Sequence, residues 1–409
     1  MGSGKSSAAI TYMNEHSNDR FIYISPYLDE GKRIKENCPA LKFVEPSKKI
    51  PEYRFCKTNH TLALLKEGRN IASTHQAFKF YTKEMADVVR DAGYTLIIDE
   101  DVDVLDVLPM DIGDLELLER AGYIRQDGEQ YQVIDDSYNG KAFRSEFRIM
   151  HSRKLIKSDG DSPILYWALP PELMLSFKNV FVLTYLFEGQ SISRFFKMYH
   201  IGYNAIGTQM CRDGKYRFVA GHSVPPAYTA SLSKKIHIFD NPRLNSIGDD
   251  KYALSMKWFE KAENARKMKN NLFNYFVNIM GKIPLNVRMW GSFDDARTAL
   301  SGKGYTTKYV VFNTKAVNEY RDRHVLAYAA NLFMNVGQKL YYAEHGVEMN
   351  EDLYALSIMV QWVWRSAIRD GKEIWIYIPS RRMRELLIDW IASVEKSYRE
   401  WDGSTEVVA

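Results

Sequence analysis

The chain has 409 residues, with 55 Lys and Arg against 51 Asp and Glu, 45% hydrophobic and 13% aromatic residues. That length exceeds one ordinary core and implies two domains of roughly 150–200 residues; the apolar and aromatic content excludes a disordered chain, and 24 Gly and 13 Pro exclude a collagen-like one. The net charge of +4 is too small to imply a polyanionic partner by itself, yet it hides asymmetry: residues 99–119 hold nine acids and no Lys or Arg, and residues 141–157 hold six basic residues and one acid.

The first half alternates apolar strands with amphipathic helices, the pattern of a parallel sheet covered on both faces and hence of an α/β fold. The pattern predicts a helix over 6–15, strands over 21–26 and 70–74, a helix over 76–90, and strands over 95–100 and 180–184. Polar residues stand at the carboxyl end of each strand, the edge where open parallel sheets bind ligands. Residues 105–170 interrupt this order as an inserted α+β region, with a helix over 115–121 and a hairpin over 123–133. Residues 191–233 read as a connector, with strands 206–210 and 216–220 flanking the turn signal Arg212-Asp213-Gly214-Lys215. A second α/β unit follows from 234, with strands over 235–239, 309–313 and 373–378 and helices near 250–280, 316–334 and 352–369.

Cys38, Cys56 and Cys211 are scattered, without zinc-ligand spacing, and fit a reducing cytoplasm. No apolar run approaches the roughly 20 residues needed to cross a bilayer, and the N-terminus is polar from its second residue, so no membrane partner is expected.

Three motifs carry chemistry. Gly2-Ser3-Gly4-Lys5-Ser6-Ser7 supplies the second half of a phosphate-binding loop, in which backbone N–H groups cradle phosphates, the Lys reaches the β and γ phosphates and the Ser hydroxyl binds Mg²⁺. Alone, the string also fits a tag remnant or a flexible tail. The loop's first glycine and its feeding strand would precede Met1, so the chain reads as a fragment or as one with a late start codon. The second motif is the apolar run 95–98 ending in Asp99-Glu100. In a nucleotide hydrolase the first carboxylate holds Mg²⁺ and the second orients and deprotonates the attacking water, and strand alternation would put the two on opposite sides. The third is Gln361-Trp362-Val363-Trp364-Arg365-Ser366-Ala367-Ile368-Arg369, whose spacing would align Gln361, Arg365 and Arg369 on one helix stripe. Such arginines stabilise a transferred phosphoryl group, while the stripe taken alone reads more readily as a solvated helix face.

With these motifs in hand, the chain resembles the two-lobed DEAD/DEAH-like helicases of superfamily 2 type, particularly those of tailed bacteriophages. Gly4-Lys5-Ser6 is similar to motif I, Asp99-Glu100 to motif II and Gln361 to Arg369 to motif VI. Ile22 to Tyr27 with Pro26, Ser73-Thr74-His75-Gln76, Leu183-Thr184-Tyr185, and Asn313 to Tyr320 with Thr314 and Asn318 resemble further motifs; Pro26, Thr74, Thr184, Thr314 and Asn318 are the expected nucleic-acid contacts. Motif II reads DEDV, and the arginines of motif VI stand four apart where the common pattern has three.

The resemblance implies two RecA-like P-loop NTPase domains (lobes over 1–190 and 234–409), ATP and Mg²⁺ as cofactors, and a DNA partner with RNA not excluded. It implies a helicase or translocase of phage replication or recombination, working with phage replication proteins. A nucleic-acid-stimulated ATPase without unwinding, or a non-hydrolysing origin-binding or scaffold protein, remain open. The stretch Lys141, Arg144, Arg148, Arg153, Lys154 and Lys157 with Phe143 and Phe147 reads either as a strand-tracking surface or as a solvated face with core aromatics; Trp258 and Trp290 read as packing residues.

Overall fold

A computed structural model describes residues 4–108, 110–158, 163–221, 223, 226–312 and 318–400. The chain forms two compact units. Among the described residues, one comprises Gly4–Phe218 and Asn335–Met349; the other comprises Val219–Met334 and Asn350–Glu400.

In the first unit, helix α1 (Lys5–Glu15) leads to strand β1 (Phe21–Ser25), and helix α2 (Leu28–Asn37) follows. Strands β2 (Ile71–Thr74) and β3 (Thr95–Asp99) come next. The insertion contributes β4 (Leu105–Leu108), β5 (Ile124–Asp127), β6 (Gln130–Val133), β7 (Lys154–Lys157) and β8 (Leu165–Ala168), after which β9 (Asn179–Leu183) returns to the main sheet. That sheet has the order β2-β1-β3-β9 and is parallel throughout.

Its strands read as unbroken apolar runs because both faces are buried. Ile22, Ile24, Leu96 and Ile98 enter one core, while Phe21, Tyr23 and Ile97 enter another on the opposite face, where Ala8, Ala9 and Met13 of α1 pack. The small buried side chains of Ala8 and Ala9 let α1 lie close to the sheet.

The insertion is larger than the expected helix and hairpin. It is a five-stranded antiparallel sheet of order β4-β8-β7-β6-β5, closed over Leu115, Leu118, Ile124, Phe147 and Trp167. Phe147 is core, and Arg153 is buried, its guanidinium donating to Asp106 at 3.0 Å and to the Asp103 carbonyl at 2.7 Å. Lys154 pairs with Glu172 at 3.3 Å. The strand-tracking alternative for 141–157 therefore loses one ring and two of its charges to packing and ion pairs.

The connector expected over 191–233 is divided. Ile192, Phe195 and Phe196 of the helix Ser191–Met198 enter the core of the first unit, and β10 (Ile206–Met210) pairs with β11 (Tyr216–Ala220) as the sequence predicts. The helix Val336–Glu344 also belongs to this unit. Tyr166 donates to the Gly337 carbonyl at 3.0 Å, Gln338 donates to the Leu105 carbonyl at 2.7 Å, and Tyr341, Tyr342 and Val347 bury against Leu105, Ile156 and Tyr166.

The second unit carries β12 (Ile236–Ile238), β13 (Arg288–Gly291), β14 (Val325–Tyr328) and β15 (Ile374–Tyr377) in a parallel sheet of order β12-β15-β14-β13. The helix expected over 316–334 is thus wrong: Val325–Tyr328 is a central strand. Its Ala and Leu residues suit a helix, but full burial on both faces selects the strand. Of the strand expected over 309–313, Tyr309 forms a bridge to Trp290, residues 310–312 lie outside any strand, and Asn313 is outside the described residues. Trp290 is fully buried, its indole N–H donating to the Tyr305 carbonyl at 2.9 Å, and Trp258 packs edge-on against Phe259. The class is α/β, two parallel sheets flanked by helices with an α+β insertion in the first unit.

Candidate active site

The site forms where α1 meets the carboxyl edge of the first sheet. Gly4 caps α1 in the left-handed region, φ 75 and ψ 20, and its carbonyl accepts the Ala8 N–H at 2.8 Å. The first-turn N–H groups have no intrahelical acceptor, and no acidic side chain stands in that turn. An anion would meet these donors at the positive end of the helix dipole. Gly4 is required twice over, by its φ and because a Cβ would meet the Tyr216 ring at 2.4 Å.

Ser6 lies in this first turn, and its hydroxyl donates to both carboxylate oxygens of Asp99 at 3.3 Å. Two motifs 93 residues apart therefore meet. Asp99 ends β3 and is buried, and the Tyr23 hydroxyl donates to its Oδ2 at 2.6 Å. The Lys5 ammonium lies 6.0 Å from the centroid of the Tyr185 ring, just beyond β9.

Glu100 departs from the expected strand alternation. Its φ is 66, a left-handed conformation that a non-glycine residue adopts at a cost of about 1 kcal/mol or more, and its N–H donates to the Leu183 carbonyl at 3.3 Å. Next to it, the Asp101 carboxylate accepts the N–H groups of Ser191 at 2.9 Å and Ile192 at 3.2 Å, at the start of the helix Ser191–Met198. The turn is thus held on both sides of Glu100.

Burial holds the Asp99 carboxyl above the usual carboxylate range; the hydrogen bonds from Tyr23 and Ser6 and the charge of Lys5 oppose that rise, and Glu30 adds to it. A raised folded value means that the native state binds the proton more tightly than the unfolded chain. The contribution of Asp99 to stability is then full below the unfolded value and is lost as pH rises through the folded one. Asp99→Asn is expected to raise the unfolding free energy at pH 7, with the difference shrinking as pH falls toward the ordinary carboxylate value of about 4. Thermal melts at the two pH values check this. A variant less stable at pH 7 would show that the hydrogen bonds outweigh the burial.

Pro26, Thr74 and Thr184 stand at the carboxyl ends of β1, β2 and β9, on the same sheet edge as Asp99. Thr74 also caps the helix His75–Phe78, accepting the Ala77 N–H at 3.2 Å. The Thr184 hydroxyl is buried with no hydrogen-bond partner among the described residues. Gly2, Ser3 and Thr314 lie outside the described residues, as does the side chain of Asn318.

The stripe of Gln361, Arg365 and Arg369 is not formed. The helix Glu351–Val363 ends before Arg365, and Ala367–Asp370 is a 3-10 turn. Arg365 is buried, donating to the carbonyls of Val311 at 3.1 Å and Phe312 at 3.0 Å, whereas Arg369 is exposed.

Sequence reasoning missed Tyr23, Asp101 and Tyr216. A tyrosine inside the apolar run of β1 was a signal, because its buried hydroxyl needs a partner. Asp101 and Tyr216 carried no such mark.

Residues 230–391 match the family model described as the YonV C-terminal Rossmann-like domain. The chain is 36% identical over 404 residues to the SPbeta prophage-derived uncharacterized protein YonV of Bacillus subtilis (strain 168), covering 96% of this chain and 97% of that one. Among solved structures it is similar to an XPD helicase (TM-score 0.44, 11% identity, 97% of this chain and 94% of that chain). It is similar also to apo XPD (TM-score 0.47, 11% identity, 95% and 93%) and to Xpd4 of S. tokodaii (TM-score 0.45, 10% identity, 95% and 91%). Matched to a relative over nearly the whole of both chains, the chain belongs to the YonV family.

Proposed function

We propose that this chain is an ATP-hydrolysing motor on nucleic acid, a helicase or translocase acting on DNA, with RNA as the alternative strand. The observation that carries the reading is the contact of Ser6 with Asp99: the phosphate-loop helix and the acidic strand end meet at the carboxyl edge of one parallel sheet. The prophage origin named for the relative supports a role in phage replication or recombination.

In this reading the first-turn N–H groups of α1 and the Lys5 ammonium bind the β and γ phosphates. The Ser6 hydroxyl and the Asp99 carboxylate are hard oxygen donors 3.3 Å apart, a set that fits Mg²⁺. Bound there, the ion supplies charge neutralisation to the phosphates. Glu100 holds the attacking water and accepts its proton as the water oxygen bonds to the γ-phosphorus and the bridging P–O bond breaks. Pro26, Thr74 and Thr184 would meet the nucleic-acid backbone, with Thr314 and Asn318 assigned to it by motif alone. Gln361, Arg365 and Arg369 are assigned to the transferred phosphoryl on the same basis.

The test is steady-state ATP hydrolysis with and without single-stranded DNA or RNA. Stimulated turnover in the wild-type chain, falling about 10²-fold or more in Lys5→Ala, is the expected result. No hydrolysis by the wild-type chain on either strand would overturn the reading. Hydrolysis without displacement of a tailed duplex would assign translocation rather than unwinding.

A further inference from the structure

A cavity of about 510 Å³ runs beside α1, and nothing in the site described so far uses it. Its wall includes Ser7 and Asn14 of α1, Arg33 and Asn37 of α2, and Lys215 and Tyr216 of the β10–β11 hairpin. Its volume is within the range of small-molecule sites.

Two observations tie this cavity to the phosphate loop. Ser7 is in the first turn of α1, directly after Lys5 and Ser6, so the cavity begins where the loop ends. The Tyr216 ring touches both: three of its carbons lie 2.4–2.5 Å from where a Cβ on Gly4 would stand, and the same residue lines the cavity.

The ring is held in place. Gly214, at φ 77, permits the tight turn, and the guanidinium of Arg217 ion-pairs with Asp213 at 2.8 Å within the hairpin and with Glu15 of α1 at 2.7 Å. The hairpin is thus clamped across α1, from Gly4 at its start to Glu15 at its end.

The lining selects a planar, partly polar ligand. Tyr216 offers a rigid aromatic surface. The Asn14 amide donates to the carbonyls of Ile10 at 3.0 Å and Asn37 at 2.9 Å, so what it offers a ligand is its carbonyl oxygen, an acceptor suited to an exocyclic amino group.

We propose that the β10–β11 hairpin builds a nucleobase subsite, with Tyr216 as the surface on which the base packs while the phosphates run to the first turn of α1. This inference rests on the phosphate-site reading above. Tyr216 would be a specificity residue, separating a nucleoside triphosphate from a bare polyphosphate.

The test is calorimetric binding of ATP and of inorganic tripolyphosphate, each with Mg²⁺, to the full chain. Wild-type protein is expected to bind ATP about tenfold tighter than tripolyphosphate, Tyr216→Ala to lose about that factor for ATP alone, and Tyr216→Phe to keep it. Asn37 is exposed at the cavity wall, so Asn37→Trp fills the cavity without disturbing the core and decides the question if Tyr216→Ala fails to fold; it is expected to weaken ATP and spare tripolyphosphate. Equal binding of the two ligands by the wild-type chain, or equal weakening of both in Asn37→Trp, would overturn the subsite and leave the phosphate site standing. Failure of the wild-type chain to bind either ligand would overturn both.

Discussion

Glu100→Gln is expected to reduce ATP turnover by about 10²–10⁴-fold, the usual worth of a positioned general base, while leaving ATP affinity near that of the wild-type chain. The amide can still hold a water but cannot take its proton. The variant is close in shape, and the left-handed turn at residue 100 is held from outside the side chain, by the Leu183 carbonyl on the Glu100 N–H and by the Asp101 clamp on Ser191 and Ile192. The strain of a φ of 66 should therefore persist, and the loss should be chemical rather than structural. Single-turnover hydrolysis and equilibrium ATP binding, measured side by side, check this. A variant with unchanged turnover would remove Glu100 from the reaction; parallel loss of binding and turnover would make it a structural residue.

The second large effect is expected at Arg365. Its guanidinium serves two backbone carbonyls in the second unit, and Arg365→Ala withdraws both donors from a buried region. At about 1–3 kcal/mol for each of the two carbonyls left unsatisfied, the variant should lose about 2–6 kcal/mol of stability. Arg369→Ala, at an exposed position, should lose almost none. Denaturant unfolding of the two variants reads the contrast. Arg365→Lys separates anchor from catalyst: it keeps the charge but lacks the fork that reaches two carbonyls. If it melts like the wild-type chain yet loses about 10³-fold in turnover, Arg365 acts on the phosphoryl group; if activity falls only as far as stability does, Arg365 is scaffold.

The first sheet was legible because parallel strands buried on both faces leave a plain mark, short apolar runs ending in polar residues. Ser6 and Asp99 were readable for the same reason: each sits at the end of such an element, and parallel topology brings strand ends and helix starts to one edge. Val325–Tyr328 was not legible, since alanine and leucine serve a buried strand as well as a helix and only tertiary burial distinguishes them. The motif stripe failed through backbone geometry. The i, i+4, i+8 spacing describes one face only if the helix continues, and this helix stops at Val363. Residues 335–349 could not have been assigned to the first unit from local pattern, because what places them there is the fit of Tyr341 and Tyr342 against a sheet formed some 200 positions earlier.

That last segment changes what a protease cut would do. The backbone passes between the units at Phe218–Val219, at Met334–Asn335 and at Met349–Asn350. A nick at the first crossing would not release the downstream fragment, because its own residues 335–349 remain embedded among Leu105, Ile156 and Tyr166 of the upstream one. Conversely, a recombinant piece ending at residue 218 would expose that apolar bed to solvent and to other copies of itself. The two sheets are built separately, yet the chain that builds the second also supplies part of the first unit's core.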